Sequence, residues 1–343
     1  MIPYIFLALF LLILAIYSSI LKERNTIILV FLSLFLLAFF RDLSVGSDFN
    51  HYKEIFLKTG DNNFNNRLEL AWALIYSIFY KIANFRIYVF FYYFILYIFL
   101  LKFIWKESYY PIYAVLFYVL LGYYFETYNI MRQSFAALFA LFSVNYIINR
   151  KIFSFSLLIL AGSLFHISLL LFFPLYFILP WIFNKKKILV LGLILTLILG
   201  FFSRSILLSL TSNFTLIERY EVYLTVFRDN ISFMGAFINI VHTAIAIIAV
   251  IYVKDQKTKY YLTLTVIGIS LNNLFFQFQW LFRLYNPLLI IFIIITLPNL
   301  INDIKIINNK RLLILIIAIY GLGMFYTLLK NNASGVVPYY LFF

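Results

Sequence analysis

The chain has no cysteine among its 343 residues, which excludes disulfides and thiolate metal sites. Charge is scarce too. Charged residues make up 12% of the chain against 65% hydrophobic, and mean hydropathy is +0.99. No soluble domain carries so much apolar surface on so few charges, so the chain reads as an integral membrane protein. No carboxylate or histidine cluster shows recognisable ligand spacing, and neither a metal nor a cofactor is expected. Internal repeats, a common mark of transporters, are missing. The formal net charge of +14 would suit nucleic acid in a soluble protein. In a membrane chain it reads as positive-inside bias, so no nucleic-acid partner is expected.

What is present is a succession of apolar stretches separated by short charged clusters. They do not alternate every second residue, so they read as helical spans rather than barrel strands. The expected fold is an all-α polytopic membrane protein, one integral membrane domain over 1–343, with about twelve transmembrane helices. The spans are 2–21, 26–40, 86–101, 109–124, 133–148, 152–166, 168–183, 188–203, 233–253, 260–280, 284–301 and 312–328. The first lacks a basic start and a small-residue cleavage site and is read as a retained span.

With Lys22 and Arg24 inside, alternation puts the clusters at 102–106, 150–151, 185–187, 254–259 and 305–311 inside as well. This holds only if 67–84 does not cross, so that segment is expected to be a re-entrant or interfacial helix. Loops 41–66 and 204–232 then lie outside. Lysine dominates the inner clusters, whereas 8 of the 11 arginines fall on the outer side. Lysine suffices to hold a loop in the cytoplasm; a planar guanidinium fork suits bidentate grip on phosphate or carboxylate. An outer site for a phosphorylated, membrane-anchored ligand is therefore expected.

The candidate residues follow in chain order. Arg41, Gly46 and Asp48 open the first long polar segment, and Asp48, Tyr52 and Phe56 recur at a spacing that lines one stripe of a helix. Glu69 heads the 67–84 segment, where a carboxylate suits the helix dipole. Asn129, Arg132, Gln133 and Ala136 form one polar face entering a span, and an ionisable group at that depth is a functional hypothesis by default. His166 and Ser168 sit at the tip of an apolar hairpin. Arg219 and Tyr220 fall in the late external loop, and Arg283 and Tyr285 begin a late span.

The ordered set resembles the EpsG/Wzy family of bacterial polymerases of capsule, exopolysaccharide and O-antigen. It runs as Arg41-x4-Gly46-Ser47-Asp48-x3-Tyr52-x3-Phe56, then Glu69, then Asn129-x2-Arg132-Gln133-x2-Ala136. Phe165-His166-x-Ser168, Arg219-Tyr220 and Arg283-x-Tyr285 follow. Two features depart from the pattern: Leu70 follows Glu69 where proline-glycine is often found, and Tyr285 stands only two residues after Arg283. The resemblance implies a multi-pass protein of the bacterial cytoplasmic (inner) membrane with its active face outside. It implies transfer of a growing glycan from undecaprenyl pyrophosphate to the next lipid-linked repeat unit, with a chain-length-determining co-polymerase as a further partner. In that reaction Arg41, Arg132, Arg219 and Arg283 would stabilise the leaving pyrophosphate. Asp48 is the first candidate for the base, with Glu69 and His166 behind it. An O-antigen ligase, a lipid-linked oligosaccharide flippase and a membrane acyltransferase are the alternative readings.

Overall fold

An apolar chain in a bilayer must pair every backbone polar group within itself, and helices do so locally. The computed structural model describes residues 1–17, 23–60, 68–211, 233–278, 281–304 and 307–342, and these are overwhelmingly helical. In chain order the helices are α1 (Ile2–Tyr17), α2 (Glu23–Phe39), α3 (Phe49–Gly60), α4 (Leu70–Ile82), α5 (Phe85–Glu107), α6 (Pro111–Leu120), α7 (Tyr123–Asn129), α8 (Met131–Ile148) and α9 (Ile152–Ser163). A 3₁₀ turn over Ile167–Phe172 precedes α10 (Leu175–Ile182), α11 (Lys186–Thr211), α12 (Phe233–Tyr252), α13 (Gln256–Phe275) and α14 (Phe282–Ile291). A π turn over Phe292–Thr296 leads into α15 (Leu297–Asp303), and α16 (Ile307–Lys330) follows.

Six helices among the described residues are long and apolar enough to cross a membrane: Phe85–Glu107, Met131–Ile148, Lys186–Ser203, Met234–Tyr252, Phe282–Asp303 and Leu312–Lys330. Several of the expected spans take another form. Residues 109–124 are not one helix, because Gly122 adopts a left-handed φ of 88° after Leu121 and ends α6. The expected hairpin 152–166/168–183 becomes α9, a 3₁₀ turn and the 8-residue α10, which contains Pro180. Helix α4, inside the segment 67–84, has 13 residues. At about 1.5 Å per residue it is shorter than the roughly 30 Å hydrocarbon core.

The chain divides into two units, Met1–Phe172 with Ile293–Phe343, and Phe173–Phe292. In the first, α8 packs on α9 and α5, α1 and α16 pack on α6, and α3 on α4. Its core is aromatic: Tyr76, Tyr93, Tyr97, Tyr124, Tyr128 and Trp72 are among its largest fully buried side chains. In the second, α11, α12 and α13 form a bundle onto which α14 packs. Buried amides cross-link that bundle, with Asn273 Nδ2 donating to Thr243 Oγ1 at 2.9 Å and Gln277 Nε2 to the Gly200 carbonyl at 2.8 Å.

Candidate active site

The site of the first unit starts from a broken helix. Ile130, at φ −107° and ψ 50°, separates α7 from α8. A helix end leaves its last carbonyls without intrahelical donors, and in an apolar interior each needs another partner. Tyrosine hydroxyls and one arginine supply them. Tyr93 donates to the Thr127 carbonyl at 3.2 Å and Tyr52 to that of Asn129 at 2.9 Å, while Tyr92 donates at 2.9 Å to the carbonyl of Met131, the first residue of α8. Arg41 Nη2 approaches the Tyr128 carbonyl at 3.5 Å.

Arg41 is wholly buried. Its other donors go to the Ala38 and Val45 carbonyls at 3.2 and 2.5 Å and to the Tyr93 hydroxyl at 2.6 Å. The guanidinium carbon lies 3.6 Å from the Phe49 ring centroid and 4.2 Å from that of Tyr128. An arginine so enclosed folds the 41–49 segment around itself; it presents no donor to a ligand, contrary to its expected place among the phosphate-binding arginines. Gly46 completes this turn at φ 101°. A Cβ there would stand 2.8 Å from Arg41 Nη1 and 3.0 Å from Asn129 Oδ1, so glycine is required on both steric and conformational grounds. Asn129 donates through Nδ2 to the Ser334 carbonyl at 2.8 Å.

The stripe of α3 that faces inward is Phe49, Tyr52 and Phe56, all buried. Asp48 is half-buried just before the helix and accepts from Ser47 Oγ at 3.0 Å. The expected stripe of Asp48, Tyr52 and Phe56 is thus offset by one residue at its start.

Three charged or titratable residues remote in sequence meet beside this scaffold. Arg132 Nη1 donates to Glu69 Oε2 at 2.5 Å, and His166 Nδ1 lies 2.9 Å from Glu69 Oε1. The side chains are 27, 15 and 18% exposed for Arg132, Glu69 and His166, so the cluster is shielded yet accessible. Glu69 is the residue preceding α4, but its carboxylate makes no cap hydrogen bond; both oxygens serve the cluster. Its proximity to the helix N-terminus is nonetheless favourable. Arg132 is the second residue of α8, where a cation opposes the dipole, and Glu69 offsets that. Burial raises the Glu69 carboxyl, but the His166 hydrogen bond and the Arg132 charge outweigh it, and its pKa falls below the usual glutamate value.

Backbone contacts hold the cluster together. The Ala71 amide donates to the Leu164 carbonyl at 3.1 Å and Trp72 Nε1 to the Phe165 carbonyl at 2.8 Å, so the start of α4 clasps the turn that carries His166. Phe135 lies 4.9 Å from Phe165 and 5.8 Å from Trp72, centroid to centroid. Gly162 allows that turn to approach α8: a Cβ there would meet Phe139 Cβ at 2.7 Å.

Of the remaining candidates, Gln133 is buried and Ser168 is half-buried in the 3₁₀ turn. Arg283 is exposed and Tyr285 buried at the start of α14, in the second unit. Arg219 and Tyr220, with most of loop 204–232, lie outside the described residues, as do residues 61–66 of loop 41–66.

Sequence reasoning missed the segment after α16. Asp42 N donates to the Tyr340 carbonyl at 2.9 Å, Phe342 N to Phe40 at 2.9 Å and Gly46 N to Gly335 at 2.8 Å. Arg86, also missed, ties the same place: it donates to the Arg41 carbonyl at 3.0 Å and stacks 3.6 Å over Phe342. The polar run at 331–335 signals a turn, but nothing local in it says that it returns to residues 40–47.

Six membrane-length helices among the described residues, and a shielded ionic cluster within the first unit, define a multi-pass membrane protein with a candidate active site. The chain belongs to the EpsG family, whose model matches residues 24–341. Membership makes it a membrane protein of the polysaccharide-polymerase type. No curated protein and no solved structure matches the chain.

Proposed function

We propose that this protein joins oligosaccharide repeat units carried on undecaprenyl pyrophosphate, at the outer leaflet of the bacterial cytoplasmic membrane. The acceptor sugar hydroxyl attacks the anomeric carbon of the donor glycan. A new glycosidic C–O bond forms, the C–O bond to the pyrophosphate breaks, and undecaprenyl pyrophosphate leaves with the electron pair.

The observation that carries this reading is the Arg132–Glu69–His166 cluster. A carboxylate on Nδ1 favours the tautomer with the proton there, which leaves Nε2 as the acceptor. His166 then takes the proton of the attacking hydroxyl, and Glu69 orients it and stabilises the imidazolium that forms. This pairing favours His166 over Asp48 as the base, with Glu69 in a positioning role. Arg132 gives one nitrogen, Nη1, to Glu69 and has further donors with which to stabilise the charge gathering on the leaving pyrophosphate. Arg41, enclosed by its own segment, acts here as a scaffold.

The test is reconstitution in liposomes with the lipid-linked repeat unit of the same polysaccharide locus. A ladder of products with release of undecaprenyl pyrophosphate is expected. Single-step transfer to an added acceptor glycan would make the protein a ligase, and movement of lipid-linked sugar between leaflets without reaction would make it a transporter.

A further inference from the structure

Helix α8 carries a second message beyond Arg132. From Met131 to Ile147 every residue is buried except six: Arg132, Phe135, Phe139, Phe142, Asn145 and Tyr146. Their spacing of three and four residues makes one stripe. All but Arg132 line a single cavity of about 390 Å³ between α8, α5 and α9. The stripe from Arg132 to Tyr146 runs about 21 Å at 1.5 Å per residue, two thirds of the roughly 30 Å hydrocarbon core.

The groove is chemically graded. At its head stand Arg132, Glu69 and His166, joined to it through Phe135, whose ring touches both Trp72 and Phe165. Its length is aromatic and aliphatic. At its foot are Lys106 and Asn145, and Asn145 Nδ2 donates to Glu107 Oε1 at 3.1 Å. A ligand matching this profile has an anionic phosphate head and one long apolar chain lying along α8.

We infer that this groove holds the pyrophosphate-proximal stretch of the polyisoprenoid chain of the lipid-linked substrate, with its pyrophosphate at Arg132. The inference rests on the glycan-transfer reading for the identity of the lipid, and its support is the continuity of the groove with the ionic site. Flat aromatic walls suit the planar, methyl-branched units of an isoprenoid. The groove then acts as a ruler: it sets the reacting pyrophosphate at the depth of the cluster and selects carriers long enough to fill it over shorter ones.

The experiment uses the full-length protein in vesicles and a polyprenyl diphosphate bearing a diazirine within the first few isoprene units from its diphosphate end. Cross-linked peptides from α5, α8 and α9 are expected, and unlabelled polyprenyl diphosphate should displace the label while phosphatidylglycerol in equal excess should not. Equal displacement by phosphatidylglycerol, or labelling confined to other helices, would overturn the inference, the former showing ordinary bilayer lipid in the groove.

A second measurement narrows the groove from its two walls with Ile95→Trp and Leu158→Trp, both half-exposed positions. The ratio of kcat/KM for long-chain to short-chain lipid-linked substrate should fall at least about tenfold. An unchanged ratio in folded variants would count against the ruler. Because cross-linking needs no turnover, the two readings fail separately. Labelled groove without glycan transfer sinks the polymerase but keeps the lipid site; transfer without groove labelling does the reverse.

Discussion

At the scale of residues, the decisive finding is a division of labour among arginines. Arg41 and Arg132 are chemically identical, yet one is enclosed by carbonyls and rings and the other pairs a half-buried carboxylate. Arg132→Lys keeps the charge and loses the fork. It is expected to lower polymer synthesis by about 100-fold or more, the size typical of a lost transition-state donor, with expression unchanged; a ladder assay on reconstituted variant checks it. For Glu69 the sign follows from its depressed pKa. A group with a lowered folded-state pKa stabilises above its unfolded value and loses that contribution as pH falls through the folded one. Wild type should therefore be more stable than Glu69→Gln at neutral pH, and the gap should close only below the ordinary glutamate range of about 4.3. Thermal unfolding in detergent across pH measures it, and a gap independent of acid would refute the charged pairing.

At the scale of elements, short and interrupted helices place the chemistry. Had α7 and α8 been continuous, the carbonyls at 127–129 would bond within the helix and Tyr52, Tyr93 and Arg41 would have nothing to cap. The break brings Arg132 to a helix start, and the clasp of α4 on residues 164–165 brings Glu69 and His166 to meet it. Gly46→Ala tests how far the 41–49 turn supports this. The strained φ and the contact with Arg41 predict a loss of roughly 1–3 kcal/mol, read as a lower unfolding temperature with activity falling in parallel. An unperturbed variant would mean that the turn relaxes freely.

At the scale of the whole molecule, the absence of cysteine makes membrane topology accessible to measurement. Single cysteines at the exposed positions His51, Lys81 and Lys151 can be labelled with an impermeant maleimide in cells and in inverted vesicles. Cysteine at 51 and at 81 should react from the outside and at 151 from the inside. Labelling of 81 from the inside would mean that α4 crosses, despite its 13 residues.

Composition and periodicity alone determined the membrane class and the helical fold and pointed to candidate residues, because hydrophobicity and spacing are local properties written in every stretch of chain. The ordered motif was likewise enough to point to the family. Tertiary structure alone decided which candidates meet. Arg132 and His166 lie 63 and 97 residues from Glu69 in sequence, and no local pattern encodes such a pairing. The same holds for Arg41, whose burial depends on Phe49, Tyr93 and Tyr128, and for the return of residues 335–342 onto 40–46. Charge shows in a sequence, but whether a charge faces a ligand or a carbonyl depends on packing between distant segments.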